Sequence, residues 1–465
     1  MKTKITFLLL LTIILSSCTK LPYGQHIDDD TSNSGITYDD IRVDEGISSE
    51  KKNIFMSPNN VIVKYQPQVT PEERKAIRET YPIIEFKQCD CGDTNIELWI
   101  FDPNIPELEI EGVVERLSRT SPRGTTRGER SFDIELSPVG PYTVQGQGQG
   151  VDGEEEALIA NAGNSKINIA VIDTGLDFYR YLFTNEPKKF LFPSGGFGSC
   201  YPTTSGWNFT QEPNNRYFAD GNGHGTYITK IITDELDSKN LNYSILPLKV
   251  FDDAGKGSYW NVLCALSYIK QLNQNGANIS IVNASFGGEM PREIFEEPAP
   301  GDQKNIFAQT IEDLNRAGAL VITSAGNDNK DVDQGPNGDF ISSFRETNIL
   351  TVGGYEYDTI NPGSLPIRLH PLSNYGSKGS IDIALAFNDY RIILDNSDPS
   401  LKNRVTLQGT SYATAAMSGI AGLVINQVGR VPAEELKNLI FNLAIEAPEL
   451  DGKIDESRVI PRATN

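Results

Sequence analysis

The chain has 465 residues but only three histidines and five cysteines, and it contains no cluster of Lys and Arg. Each shortage excludes something. Three histidines leave a catalytic zinc site poorly supplied. Lys and Arg number 41 against 62 Asp and Glu, a net charge of −21, which argues against nucleic acid because binding phosphates takes a cationic surface. The acidic balance fits a soluble protein outside the cytoplasm and could hold cations, although solubility alone accounts for it. No apolar run after the N-terminal one approaches transmembrane length. Cys89-Asp90-Cys91 are too close for easy mutual bridging and lack the second pair that would complete a zinc site. A Cys200–Cys264 disulfide is open to the chain, with nothing in the sequence to support it.

What is present is a globular composition, 38% hydrophobic and 22% charged, which excludes a disordered chain and allows a sizeable core. The length suggests two or three domains. At the N-terminus Lys2 and Lys4 precede an apolar run from Ile5 to Leu15, then Ser16-Ser17-Cys18. That run is too short to span a bilayer but suits a signal-peptide core. The small residues before Cys18 resemble the lipobox of bacterial lipoproteins. The resemblance implies that residues 1–17 are removed and that Cys18 carries lipid, anchoring the protein to a bacterial membrane. The plainer alternative is an ordinary signal peptide that contains a cysteine.

Residues 18–54 are polar and read as a flexible tether. From 55 to 120 the pattern predicts a small α+β domain of order β-α-β-β-α: a strand at Val61–Tyr65, a helix opened by Thr70-Pro71-Glu72-Glu73, strands at Ile83–Phe86 and Ile96–Phe101, and a helix at Ile110–Leu117. Residues 121–165 lack periodicity and contain Gln145-Gly146-Gln147-Gly148-Gln149-Gly150, so they read as an exposed linker open to proteolysis. Between 166 and 447 short Val- and Ile-rich strands alternate with helices, which predicts a three-layer α/β/α domain around a mostly parallel sheet. Residues 448–465 read as a C-terminal tail.

Three segments of that domain place a reactive side chain at a strand end or helix start. Ala170-Val171-Ile172-Asp173-Thr174-Gly175 ends a strand in an aspartate; Asp220-Gly221-Asn222-Gly223-His224-Gly225-Thr226 offers a histidine; Gln408-Gly409-Thr410-Ser411-Tyr412-Ala413 offers a serine before a small-residue helix. These are the groups acyl transfer to a hydroxyl needs: serine requires a base, histidine titrates near neutrality, and a carboxylate fixes the imidazole tautomer. Taken singly each has a bland explanation, Asp173 as a helix cap and Asn327 as a turn former. His26 and His370, in polar or proline-flanked contexts, read as surface residues.

Together with Gly206-Trp207-Asn208-Phe209, Leu248-Lys249-Val250-Phe251, Asn283-Ala284-Ser285-Phe286-Gly287-Gly288 and Ser324-Ala325-Gly326-Asn327, the three motifs in the order Asp, His, Ser resemble the subtilisin family over roughly residues 166–445. The resemblance implies a serine endopeptidase with Asp173, His224 and Ser411 as its triad and Asn327 as oxyanion donor. Ser285, Phe286, Gly287, Ser324, Ala325 and Gly326 would wall a cleft in which peptide or protein substrate adds as a strand. The 55–120 domain looks like the inhibitory propeptide of such enzymes, making it a partner of its own catalytic domain until a cut in the linker. The catalytic domain would then leave its lipid anchor unless the two parts stayed associated. No cofactor is required; calcium, frequent in the family, finds hard oxygen ligands in Asp328–Asp333, although that loop matches no EF-hand.

The chain departs from the family at Tyr227, where a second histidine is common, at Tyr412 and Ala415, where Met and Pro are usual, and at a loop reading Ala384-Leu385-Ala386 instead of Ala-Pro-Gly. The substitutions around His224 and Ser411 suggest one rival, a non-catalytic binding protein that keeps the fold; a second rival is a dedicated processing or transpeptidating enzyme acting on one peptide precursor.

Overall fold

The structure, a computed structural model, describes residues 41–44, 54–89, 91–119, 126–136, 165–177, 190–198, 205–210, 218–295, 304–357, 367–393 and 404–461. The signal peptide, Cys18, His26, the Gln-Gly run and Cys200 lie outside the described residues.

The N-terminal elements are β1 (Ile41–Asp44), β2 (Ile54–Tyr65), α1 (Pro71–Arg78), β3 (Ile83–Gln88), β4 (Ile96–Phe101), α2 (Glu107–Arg119) and β5 (Thr126–Glu135). The start of α1 follows its sequence signal closely. Thr70 Oγ1 accepts from the Glu73 amide (3.2 Å) while Glu73 Oε2 accepts from the Thr70 amide (2.8 Å), with Pro71 in the first turn. In β2 the residues alternate in direction. Val61, Val63 and Tyr65 pack against Ile110, Val113 and Leu117 of α2, whereas Ile62 faces the opposite side.

Two segments read as unstructured are strands. β1, from the expected tether, pairs in parallel with residues 405–408; pairing at a sheet edge uses backbone groups and needs no side-chain pattern. β5, from the expected linker, pairs along β2 and completes a β-α-β-β-α-β unit of strand order β3-β4-β2-β5. Its first half is polar and hides the strand period, because its charges are met by neighbours. Arg130 bonds Glu111 (2.9 Å) and the carbonyl of Pro58 (2.9 Å), and Arg127 bonds Glu129 (2.7 Å).

The large domain comprises β6 (Ile167–Asp173), β7 (Trp207–Asn208), α3 (His224–Asp237), β8 (Tyr243–Lys249), β9 (Lys256–Ser258), α4 (Tyr259–Gln274), β10 (Ile281–Ala284), β11 (Glu289–Pro291), α5 (Ile306–Arg316), β12 (Leu320–Ser324), β13 (Asn337–Asp339), β14 (Ile349–Tyr357), β15 (Ile367–Leu369), β16 (Ile383–Ala386), β17 (Tyr390–Ile393), β18 (Arg404–Gln408), α6 (Thr410–Val428), α7 (Ala433–Phe441), β19 (Ile445–Glu446) and β20 (Arg458–Val459). The central sheet runs β19-β20-β16-β14-β12-β10-β6-β8-β7, and only β19–β20 and β14–β15 are antiparallel. Ile169 and Val171 of β6 pack with α3, α6 and α7 on one face. Ala170 and Ile172 pack with α4 and α5 on the other. The domain is therefore the expected three-layer α/β/α arrangement. Residues 448–461 are not a tail, since β20 pairs with β16 and Leu450, Ile454 and Val459 are buried. Ala384-Leu385-Ala386, expected in a loop, lies in β16.

The second face of the small sheet rests on the large domain. Ile62, Ile96, Leu98, Phe132 and Ile134 share one buried cluster with Leu263 and Leu266 of α4 and Phe307 and Ile311 of α5. The end of β5 crosses over and pairs antiparallel with β9, Asp133 opposite Ser258 and Glu135 opposite Lys256. This docking brings Cys89 over α4, where it forms a disulfide with Cys264 (S–S 2.06 Å, Cα–Cα 5.4 Å). Cys264 thus pairs across the domain boundary and not with Cys200. Cys91 is disulfide-bonded as well.

Candidate active site

Asp173 ends β6 and His224 opens α3, and the parallel sheet brings both to the carboxyl ends of its strands. His224 Nδ1 lies 2.8 Å from Asp173 Oδ1, with the two side chains almost wholly buried. Gly225 permits the approach, because a Cβ there would fall 2.4 Å from the Gly175 carbonyl and 3.0 Å from Asp173 Cβ. Asp220 holds the start of α3. Its Oδ1 accepts from the Gly223 amide (2.8 Å) and its Oδ2 from the Thr226 amide (2.9 Å) and hydroxyl (2.6 Å). The histidine motif alone does not reveal this role of Asp220; a carboxylate just ahead of a helix start is the signal that could have assigned it.

Ser411 stands in the first turn of α6, two residues after Gly409, whose φ of 146° turns the chain from β18 into the helix. Its hydroxyl donates to the Ser285 carbonyl (3.0 Å), and the Ser285 hydroxyl donates back to the Ser411 carbonyl (3.0 Å). This reciprocal pair ties the head of α6 to the segment that follows β10. Asn327 Oδ1 accepts from both the amide and the hydroxyl of Thr410 (2.9 Å each). With the oxygen engaged by two donors, the amide orientation of Asn327 is set and its nitrogen is the opposite end. Thr410 is a positioning residue that sequence reading passed over. So is Asn374, whose Oδ1 accepts from the amides of Asp328 (2.9 Å) and Lys330 (3.0 Å) and whose Nδ2 donates to the Ala325 carbonyl (3.0 Å).

One cavity gathers these groups: His224, Ser411, Asn327, Ser285, Phe286, Gly287, Ser324 and Gly326 all line it. Ala325 does not; it turns into a buried apolar cluster with Tyr355 and Ile381. Glu135 and Leu136, from the end of the small domain, also line the cavity, and the Leu136 amide donates to the Gly255 carbonyl (2.8 Å). Gly288, Asp328 and Asp339 complete the lining, and none of them is a cleft residue that the sequence singles out.

The substituted positions lie under the site, not in it. Tyr412, Tyr227 and Ala415 are buried in the α3–α6 core, and the Tyr412 ring packs 6.0 Å from the His224 ring. Burial, with Asp220 adding to it, pushes the Tyr227 hydroxyl up to about 12. His370 is not a surface residue: it is 8% exposed and stacks on Phe387 with centroids 3.7 Å apart. In the acidic loop Asp331 accepts from the Asp333 amide (3.0 Å) and Asp333 from the Ser380 hydroxyl (2.6 Å), so both carboxylates fasten loops. Among the described residues no group of three or more His, Cys, Asp or Glu is arranged to hold a metal ion.

The chain is similar in sequence to several known proteins. The extracellular serine proteinase of Thermus sp. (strain Rt41A) is 24% identical over 335 residues, covering 70% of this chain and 62% of the relative. The cell wall-associated protease of Bacillus subtilis (strain 168) is 25% identical over 339 residues, covering 70% of this chain and 32% of the relative. Subtilisin-like protease 2 of Pseudogymnoascus destructans is 25% identical over 412 residues, covering 88% and 84%. The match thus spans about three fifths of the length of the first of these relatives. A cold-adapted subtilisin-like serine proteinase of known structure shares 19% identity at a TM-score of 0.44, over 66% of this chain and 92% of that one. The model of the subtilase family matches residues 164–458, so the chain belongs to that family.

Proposed function

We propose that the protein is an exported serine endopeptidase made as a zymogen. The observation that carries this reading is the Asp173–His224 hydrogen bond opening onto the cavity that also holds Ser411 and Asn327. In the proposed reaction Ser411 Oγ attacks the peptide carbonyl carbon as His224 Nε2 takes its proton, and Asp173 holds the imidazole by Nδ1 and stabilises its positive charge. The oxygen that becomes negative is received by the Asn327 amide and the Ser411 N–H, an amide without an intrahelical acceptor in the first turn of α6. His224 then returns the proton to the leaving amine, and water releases the acyl group by the same steps. For the first step the Ser411 hydroxyl would leave the Ser285 carbonyl and turn toward His224.

The pairing of β5 with β9 supports the inhibitory role of the small domain, because it takes up a strand edge at the cleft and sets Glu135 and Leu136 in the cavity. A cut between residues 137 and 164 would leave Glu135 and Leu136 at the end of the severed small domain, so that undocking of that domain would open the cavity. The Cys89–Cys264 bond would nevertheless keep the severed domain, and a lipid anchor on Cys18, attached to the enzyme. Relatives named as extracellular and cell wall-associated support export.

The test is labelling of purified full-length protein with a fluorophosphonate, followed by electrophoresis with and without reductant. The expected result is a label lost in Ser411→Ala, on a chain that runs with its N-terminal fragment until the sample is reduced. No Ser411-dependent label favours the non-catalytic binding protein. A label without cleavage of casein favours the dedicated processing enzyme. A single intact chain under reducing conditions, from an active preparation, sinks the zymogen reading.

A further inference from the structure

The cavity beside Ser411 ends at a buried acid for which the proposed reaction has no use. Asp339, the last residue of β13, is 3% exposed yet lines the cavity together with His224, Asn327 and Ser411. Its carboxylate lies between the two backbone segments that wall the cleft. A Cβ built on Gly287 would fall 2.5 Å from Asp339 Oδ1, and one on Gly326 would fall 3.4 Å from Oδ2. Neither glycine adds a side chain beside the carboxylate, although the Asn374 amide, 2.4 Å from a Cβ built on Gly326, fills the space next to that glycine; Asn327 follows Gly326 directly. A substrate residue whose carbonyl oxygen meets the Asn327 amide therefore has its side chain at the mouth of a slot floored by a carboxylate.

No ion pair meets that carboxylate among the described residues. Ser342 Oγ donates to Oδ1 (3.3 Å), and the Gly288 backbone N–H also bonds it. Glu289 stands opposite it in the β11–β13 pairing, and Asp328 lines the same cavity. Lys330, the nearby cation, is held by Glu289 (2.5 Å). Burial first, then Asp328, pushes the Asp339 carboxyl well above the usual carboxylate range. A buried carboxylate without a cation is costly, and an arriving cation that bonds it removes that cost.

We propose that Asp339 selects substrates in which arginine or lysine supplies the scissile carbonyl. The proposal rests on the endopeptidase reading of this site and adds its substrate class. A neutral side chain in the slot would leave the acid unpaired, whereas guanidinium or ammonium would satisfy it, and sites built on such a buried charge discriminate strongly.

The experiment compares cleavage of peptides that differ only at that residue, Arg, Lys, Leu or Phe, by protein whose Ser411 labelling has been measured in parallel. The expected result is a kcat/KM at least about tenfold higher for Arg and Lys than for Leu and Phe. Asp339→Asn should lower the Arg-to-Leu ratio by about tenfold or more, and Asp339→Glu, which keeps the charge, should retain the preference and serves as the folding control. Labelled enzyme that cleaves Leu or Phe as well as Arg overturns the proposal, as does an Asn variant with an unchanged ratio. Absence of labelling in the wild type overturns the endopeptidase reading and this proposal with it, so the two failures are distinguishable.

Discussion

The large domain encloses its sheet between two helical layers, whereas the small domain covers one face of its sheet with α2 and leaves the other to its neighbour. Ile62, Ile96, Leu98, Phe132 and Ile134 would form an exposed apolar patch if the domains parted. The small domain is therefore built to be complete only when docked, and its docking sets the end of β5 in the cleft. Two further contacts serve the same end. Glu129 Oε1 accepts from the Ile306 amide (2.7 Å), so a side chain of the small domain meets a free donor at the start of α5 in the large one. Cys89–Cys264 makes the association covalent.

Three substitutions separate the reaction centre from the docked face, and the docked face from the small domain's own fold. Asn327→Ala should act on the reaction centre alone. It should lower kcat by roughly 10²–10³, the loss for the equivalent donor in subtilisin, a member of this same family, about 2.7–4 kcal/mol. A loss under tenfold would remove Asn327 from the oxyanion role. Glu129→Ala should act on the docked face. It strips the Ile306 amide and Arg127 of a buried acceptor, at a cost of about 1–3 kcal/mol. Hydrogen exchange should quicken at the start of α5 and along β5 while the β6–β10 core stays protected; unchanged exchange at α5 would show that the contact contributes nothing. Thr70→Ala should act only within the small domain, removing the capping box of α1 at about 1 kcal/mol. Faster exchange confined to α1 is expected, and faster exchange in β5 as well would mean that the two faces are not separable.

Much of the candidate site was legible in the sequence because each contributor sits in a short segment whose local geometry is self-contained. Asp173 is at the end of an apolar strand, His224 is among glycines at a helix start, and Ser411 heads a helix of small residues. The cleft walls were legible for the same reason except at Ala325, where the direction of one side chain depends on what lies behind the strand. β5 escaped notice because its polar side chains are satisfied by partners such as Glu111 and Pro58, distant in the chain. His370 escaped because a proline after it says nothing about Phe387, which stacks on its ring.

The main strands and helices, the mostly parallel sheet and the three candidate residue types could be read in the amino-acid sequence, since hydrophobic period and helix caps are local properties; β1, β5 and β20 could not. Only the tertiary structure decided that Cys89 meets Cys264, that Glu129 reaches α5, and that Asp339 comes to rest between Gly287 and Gly326. Those relations join residues tens to hundreds of positions apart. They exist because two sheets and their helices pack in one arrangement, and no stretch of chain carries that information by itself.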